Sequence, residues 1–177
     1  AGSRLKHAPG DMNIYCNDGF TLVETLVSAV TGTDYATFVR DEIFAPLGMT
    51  HSRYPTGPFP AGSYAPEFNA DGSPMPQEYN NTFASGGLYS TPSDLCRLLA
   101  MFANGGELGG VRILSEASVR AMGVDQTIGK FKMGVTKGAR YGLGWDTIVQ
   151  PGVELAGRTA WSKNGETGVY GSCVIVI

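Results

Sequence analysis

The hydrophobic period of this chain changes once, near residue 140, and that change narrows the folds open to it. Before it, apolar residues recur at helical spacing; after it they gather in short strand-like runs. Phe20, Val23, Leu26, Val27 and Val30 keep a three-to-four-residue spacing, with Gly32 placed as a C-cap. A second helix is predicted from Thr33 or Asp34, with Tyr35, Phe38, Val39 and Ile43 on one face and an end before Pro46. Thr91-Pro92-Ser93-Asp94 has the form of a helix start: an N-cap hydroxyl, a proline at the first helical position and an acid in the first turn. Leu95, Leu98, Leu99 and Phe102 form its expected buried stripe, and Asn104-Gly105-Gly106 stops it. Ser115 caps a further short helix that presents Val119 and Met122. Tyr141-Gly142-Leu143-Gly144-Trp145 and residues 169–177 read as strands, rich in aromatic and β-branched side chains.

Helices first and strands last give an α+β chain. The expectation is a single partial domain, 1–177, with a mostly helical part at 1–138 and strands of an antiparallel sheet at 139–177. Residues 173–177 are almost continuously apolar, as in a strand covered on both faces. The sequence stops inside that strand, so the expectation is a piece of a longer domain, with the remainder of that domain as its partner.

Between the helical stretches, residues 50–83 show no clear period. They hold six prolines, Pro55, Pro58, Pro60, Pro66, Pro74 and Pro76, interleaved with Tyr54, Phe59, Tyr64, Phe68 and Tyr79. A loop this long is functional or disordered as a rule. Disordered segments are poor in aromatics, so an ordered loop packed on the surface is expected. A net charge of −3 offers no long-range attraction to nucleic acid or anionic membrane. No apolar run approaches the ~18–20 residues of a membrane span, and Ala1-Gly2-Ser3-Arg4 is not a signal peptide; the compartment is left open. Cys16, Cys96 and Cys173 form neither a disulfide framework nor a zinc pattern and read as buried thiols. No cofactor is implied. His7 and His51 sit among polar turn residues and read as surface histidines.

Five strings stand in order along the chain. They are Pro9-Gly10 leading to Tyr15-Cys16-Asn17-Asp18-Gly19-Phe20, then Ile43-Phe44-Ala45-Pro46-Leu47-Gly48-Met49. They continue with Ala84-Ser85-Gly86-Gly87-Leu88-Tyr89-Ser90-Thr91-Pro92-Ser93-Asp94-Leu95, Tyr141-Gly142-Leu143-Gly144-Trp145 and Lys163-Asn164-Gly165. Y-x-N or K-x-G alone occurs by chance in many proteins; the longer strings and their order are specific. Together they resemble the penicillin-recognising serine hydrolases, the family of class C β-lactamases, D-alanyl-D-alanine peptidases and β-lactamase-like esterases. The resemblance covers nearly the whole chain and implies a β-lactamase/transpeptidase-like fold, incomplete here.

The resemblance also implies a chemistry. A serine hydroxyl needs an adjacent base to become a nucleophile. Tyr15 is then the general acid/base; an unperturbed phenol titrates near pH ~10, so nearby cations must favour its ionised form. Lys163 supplies part of that field and binds a substrate carboxylate. Asn17 offers its side-chain amide to the substrate's acyl amide. Asn164 stands where Thr or Ser commonly helps to hold the carboxylate, and an amide can also donate there. Gly165 leaves room for substrate, and the backbone N–H of Glu166 is one oxyanion donor. Tyr15 and Lys163 are expected to face one cleft. Without this context, Tyr15 fits a core tyrosine with a satisfied hydroxyl, Lys163 a surface lysine, and Asn17 a helix N-cap.

The family's third signature, S-x-x-K, carries the nucleophile. Ser3-Arg4-Leu5-Lys6 spells it. It is rejected here, because one helical turn at a chain terminus frays and Pro9-Gly10 intervenes before Tyr15. The family places its nucleophile several tens of residues before Y-x-N. The leading expectation is therefore a fragment of a serine hydrolase that cleaves an amide, lactam or ester through an acyl-enzyme, its nucleophile missing from this chain. The alternative is a non-catalytic member that binds peptidoglycan-like or acyl ligands.

Overall fold

The computed structural model describes residues 4, 7–11, 15–127, 140–149, 159–168 and 170–177. Helix α1 spans Asn17–Thr31, and α2 spans Tyr35–Val39 and continues as a π-helical turn over Arg40–Phe44. Helix α3 spans Pro92–Ala103. Strands β1 (Glu107–Leu108) and β2 (Val111–Arg112) form a small antiparallel hairpin, with Leu108 opposite Val111. Helix α4 spans Glu116–Met122. Strands β3 (Trp161–Glu166) and β4 (Gly171–Val176) pair in a second two-stranded sheet. The chain divides into two compact units: Ala1–Cys16 with Leu99–Asn164 and Ser172–Ile177, and Asn17–Leu98 with Gly165–Gly171.

In the unit built on Asn17–Leu98, local chemistry sets the helix ends. Gly32 closes α1 with its N–H on the Ser28 carbonyl at 3.0 Å. Asp34 caps α2, its carboxylate accepting the Thr37 N–H at 2.9 Å. The core of this unit is Val39, Phe44, Leu47 and Met49, each no more than 6% exposed. Leu47 and Met49 come from the Pro46-Leu47-Gly48-Met49 string, which is therefore scaffold. Asp94, in the first turn of α3, is also buried. It accepts the His51 N–H at 2.7 Å and the Ser52 hydroxyl at 2.8 Å. That network fastens the 49–52 turn to α3, and its burial is tolerable because the carboxylate is hydrogen-bonded.

The long loop is ordered by its aromatic residues. Phe59 meets Tyr64 and Tyr89 at centroid distances of 5.9 and 4.9 Å, and Tyr89 meets Tyr170 at 6.1 Å. Arg53 lies over the Phe59 ring at 3.8 Å. Tyr54 packs between Tyr35 and Phe83, and burial pushes its phenol far above the ordinary value.

In the other unit, Met101, Val119, Trp145, Ile148 and Ala160 form the core. Phe102 stands edge-on to Trp145 at 5.2 Å, and Trp145 meets Trp161 at 5.5 Å. Ser115 caps α4, accepting the Ser118 N–H at 3.0 Å.

Three sequence expectations are corrected. Residues 141–145 form a turn, with the Gly142 N–H on the Trp145 carbonyl at 3.2 Å. A Cβ at Gly142 would lie 2.2 Å from the Met122 carbonyl oxygen, so the segment is there for close approach to α4's end and not for strand pairing. Helix α1 forms as its spacing predicts, and most of its apolar residues point outward: Phe20, Leu22, Val23, Leu26 and Val30 are 40–77% exposed, while Val27 is half-buried with Thr21, Glu24 and Ser28. Strand β4 is not covered on both faces, since Ile175 and Ile177 are exposed. All three cysteines are exposed free thiols. The expected strand start at Val169 and three of the four residues of Ser3-Arg4-Leu5-Lys6 lie outside the described residues. Among the described residues, no helix is long and apolar enough to cross a membrane.

Candidate active site

Tyr15 and Asn17 flank the start of α1. Tyr15 is 68% exposed, and among the described residues its hydroxyl has no hydrogen-bond partner. Asn17 is the first residue of α1 and is exposed. Seven residues on, Glu24 faces inward and its carboxylate accepts the Ala84 N–H at 3.0 Å. The helix that carries Asn17 is thereby tied to Ala84-Ser85-Gly86-Gly87. Asn80 supports that stretch from beneath: a Cβ at Gly86 would meet its side-chain nitrogen at 2.8 Å.

Lys163, Asn164, Gly165 and Glu166 occupy the end of β3. Ser162, just before them, is buried and anchors the strand: its N–H donates to the Thr147 carbonyl at 2.9 Å, and its carbonyl accepts the Asp146 N–H at 2.9 Å. This bridge delivers a residue that the sequence reading missed. Asp146 Oδ2 accepts the Lys163 ammonium at 3.1 Å and the Asn164 N–H at 2.7 Å. The Lys163 ammonium also contacts the Asn164 carbonyl. One carboxylate thus fixes both the cation and the neighbouring backbone. The signal was present, because Asp146 directly follows the Tyr141-Gly142-Leu143-Gly144-Trp145 string; nothing in periodicity marked it as paired.

The ion pair is partly exposed, with Lys163 at 35% and Asp146 at 24%. Its worth to stability is therefore about 1 kcal/mol or less. Its electrostatic effect is larger in kind than in energy: an anion beside Lys163 offsets part of the field that Lys163 can direct elsewhere. Asn164 and Glu166 are exposed. Tyr15, Lys163 and Asn164 belong to one compact unit, and Asn17, Gly165 and Glu166 to the other. Among the described residues no cluster of His, Cys, Asp and Glu could hold a metal ion.

A family model described as Beta-lactamase matches residues 1–177. The chain belongs to the β-lactamase family. This β-lactamase-family chain is 32% identical over 103 residues to the D-alanyl-D-alanine-carboxypeptidase/endopeptidase AmpH of Escherichia coli, covering 56% of the chain and 26% of that protein. The solved octameric penicillin-binding protein homologue from Pyrococcus abyssi superimposes with a TM-score of 0.75 at 26% identity, over 96% of this chain and 36% of that one. The D-alanine carboxypeptidase AmpC from Burkholderia cenocepacia gives 0.71 at 19% identity, over 98% and 54%. The last likeness shows the fold alone: the β-lactamase/transpeptidase arrangement, α+β as the sequence implied. The chain spans from 26% to 40% of the length of curated relatives it matches.

Proposed function

We propose that this segment forms part of a serine hydrolase of the β-lactamase family that cleaves an amide, lactam or ester through an acyl-enzyme. The nucleophilic serine lies in the remainder of its own domain, outside this chain. In the proposed reaction the serine oxygen attacks the carbonyl as its proton passes to Tyr15. The oxyanion is held by the Glu166 N–H and by a donor from the serine's own segment. Tyr15 then protonates the leaving group, and water releases the acyl group by the same route in reverse. Asn17 holds the acyl amide, Gly165 leaves the space beside it, and Lys163 with Asn164 takes a substrate carboxylate. The substrate class is a small-molecule or peptidoglycan-like acyl compound; nucleic acid has no place in this reading.

The observation that carries the reading is the anchored end of β3. Lys163 and Asn164 are both held by Asp146, on the strand that continues to Gly165 and Glu166. A cation fixed by a second residue is suited to recognising a carboxylate in one place. The same pairing favours a second reading, a non-catalytic member that binds acyl ligands, because Asp146 weakens the help Lys163 gives to an ionised Tyr15.

Intact mass after incubation with a fluorescent penicillin separates the two. The expected result is no adduct on this chain and one serine adduct on the complete gene product. An adduct on Ser3 would restore the terminal Ser3-Arg4-Leu5-Lys6 as nucleophile. Reversible binding without an adduct on the complete protein would establish the second reading.

A further inference from the structure

The turn that joins β3 to β4 is fastened to the long aromatic loop by Tyr170. Within the turn, the Thr167 N–H donates to the Tyr170 carbonyl at 2.9 Å and the Tyr170 N–H to the Thr167 hydroxyl at 3.1 Å. A Cβ placed on Gly168 or on Gly171 would meet nothing within 4 Å, so packing wedges the turn at neither glycine. The Tyr170 side chain reaches across instead. Its hydroxyl donates to the Ala65 carbonyl at 2.5 Å, and its ring meets Tyr89 edge-on at 6.1 Å. The receiving loop is itself held. Tyr89 pairs with Arg53 through two backbone bonds, of 2.9 and 3.0 Å. Its hydroxyl donates to the Glu78 carbonyl at 3.0 Å, and its ring stands edge-on to Tyr64 at 6.4 Å. Residues 165–171 accordingly belong to the same compact unit as this loop.

The Glu67 carboxyl lies beside the same hydroxyl. Glu67 is 8% exposed, and its Oε1 has no hydrogen-bond partner among the described residues. A buried carboxyl bonded this sparsely costs stability, so scaffolding does not account for it. Burial and the Glu67 carboxyl push the Tyr170 phenol far above its ordinary value, so its hydroxyl keeps its proton and stays a donor. An oxyanion donor acts only when held about 2.7–3.1 Å from the developing charge. A backbone N–H is placed there by the chain around it, not by a rotamer. The Glu166 N–H, the proposed donor, directly precedes the turn. We infer that Tyr170 is a positioning residue for the oxyanion hole: through Ala65 and Glu67 it holds the turn to the long loop and so sets the place of the Glu166 N–H. The inference rests on the reading of Glu166 as an oxyanion donor in a serine hydrolase.

The test uses the complete gene product and an activated ester. Tyr170→Phe keeps the ring on Tyr89 and removes the hydroxyl. The expected result is a kcat lower by about tenfold or more, with KM within about twofold of the parent, because a displaced oxyanion donor is felt in the transition state and not in ground-state binding. Deuterium exchange over residues 163–168 should be about fivefold faster or more. Where Tyr170→Phe does not fold, Glu67→Gln is read in its place, with the same split expected. Tyr79→Phe is the control: it loses a hydroxyl bond to Gln77, 3.3 Å long and in the same loop, and should change neither kcat nor exchange. An unchanged kcat, whatever the KM or Tm, would overturn the inference and leave the hydrolase reading intact, as would exchange equal to that of the parent. A parent that forms neither acyl adduct nor product would overturn that reading, and the inference with it.

Discussion

Asp146 changes what Lys163 can be asked to do. With the carboxylate 3.1 Å away, Lys163 is one half of an ion pair rather than an isolated cation. In the complete protein, Lys163→Ala should lower kcat/KM for a carboxylate-bearing substrate roughly ten- to a hundredfold, the equivalent of one charge-assisted contact. The loss should be smaller for a neutral ester; equal losses would remove the carboxylate role. Asp146→Asn keeps an acceptor for the Asn164 N–H and removes the opposing charge. Its expected effect is a KM for the carboxylate-bearing substrate lowered by about two- to tenfold, with no change for the ester. A raised KM for both would mean that Asp146 serves mainly to hold β3 in place. Acid stability is set by different residues. The Thr37 N–H and hydroxyl hold the Asp34 carboxyl below the usual carboxylate range. A depressed folded-state pKa gives stability that is present above the unfolded value near ~4 and is lost as pH falls through the folded value. Asp34→Asn keeps the cap but not the titration, so its Tm should fall less steeply than that of the parent as the pH drops below about 4.

At the scale of elements, the signals that were legible were local ones. Gly32, Asp34, Thr91 and Ser115 close or open helices as read, because a cap is decided by a few neighbouring atoms. Signals that depend on distant partners were not. Apolar spacing identified α1 but not its orientation, since periodicity says where apolar groups lie and not what covers them. Residues 141–145 read as a strand on their aromatic content, yet two glycines close them into a turn against the end of α4. The β1 and β2 hairpin is too short to leave any period. Met101 is 1% exposed, while Leu95, Leu98, Leu99 and Phe102 are only half-buried, so α3 is rotated from its expected stripe. Gly106 shows how tightly the chain after α3 is held. Its φ is +99°, and a Cβ there would meet the Leu114 carbonyl oxygen at 2.2 Å. Gly106→Ala should cost about 2 kcal/mol or more, from backbone strain and from a clash that backbone cannot easily relieve. Urea unfolding with an unchanged m-value checks it.

For the molecule as a whole, family and fold were readable because the diagnostic strings are scaffold: Leu47 and Met49 fill a core, and Asp94 ties the turn before the long loop to α3. Asp94→Ala strands the His51 N–H and the Ser52 hydroxyl, and the expected loss is ~3 kcal/mol by denaturant unfolding. The site residues were proposed from the same strings, but Asp146 was not, since its part depends on a bridge between Thr147 and Ser162 across a long stretch of chain. The aromatic side chains have a spectroscopic consequence. Trp145 and Trp161 are the only two tryptophans and lie in contact within one compact unit, whereas six of the eight tyrosines, Tyr35, Tyr54, Tyr64, Tyr79, Tyr89 and Tyr170, belong to the other. Indole emission and near-ultraviolet ellipticity from the tilted pair therefore report one unit, and phenol signals chiefly report the other. A single sample can be melted once and read in two colours, and any lag between the two curves measures how far one unit can lose its order before the other follows.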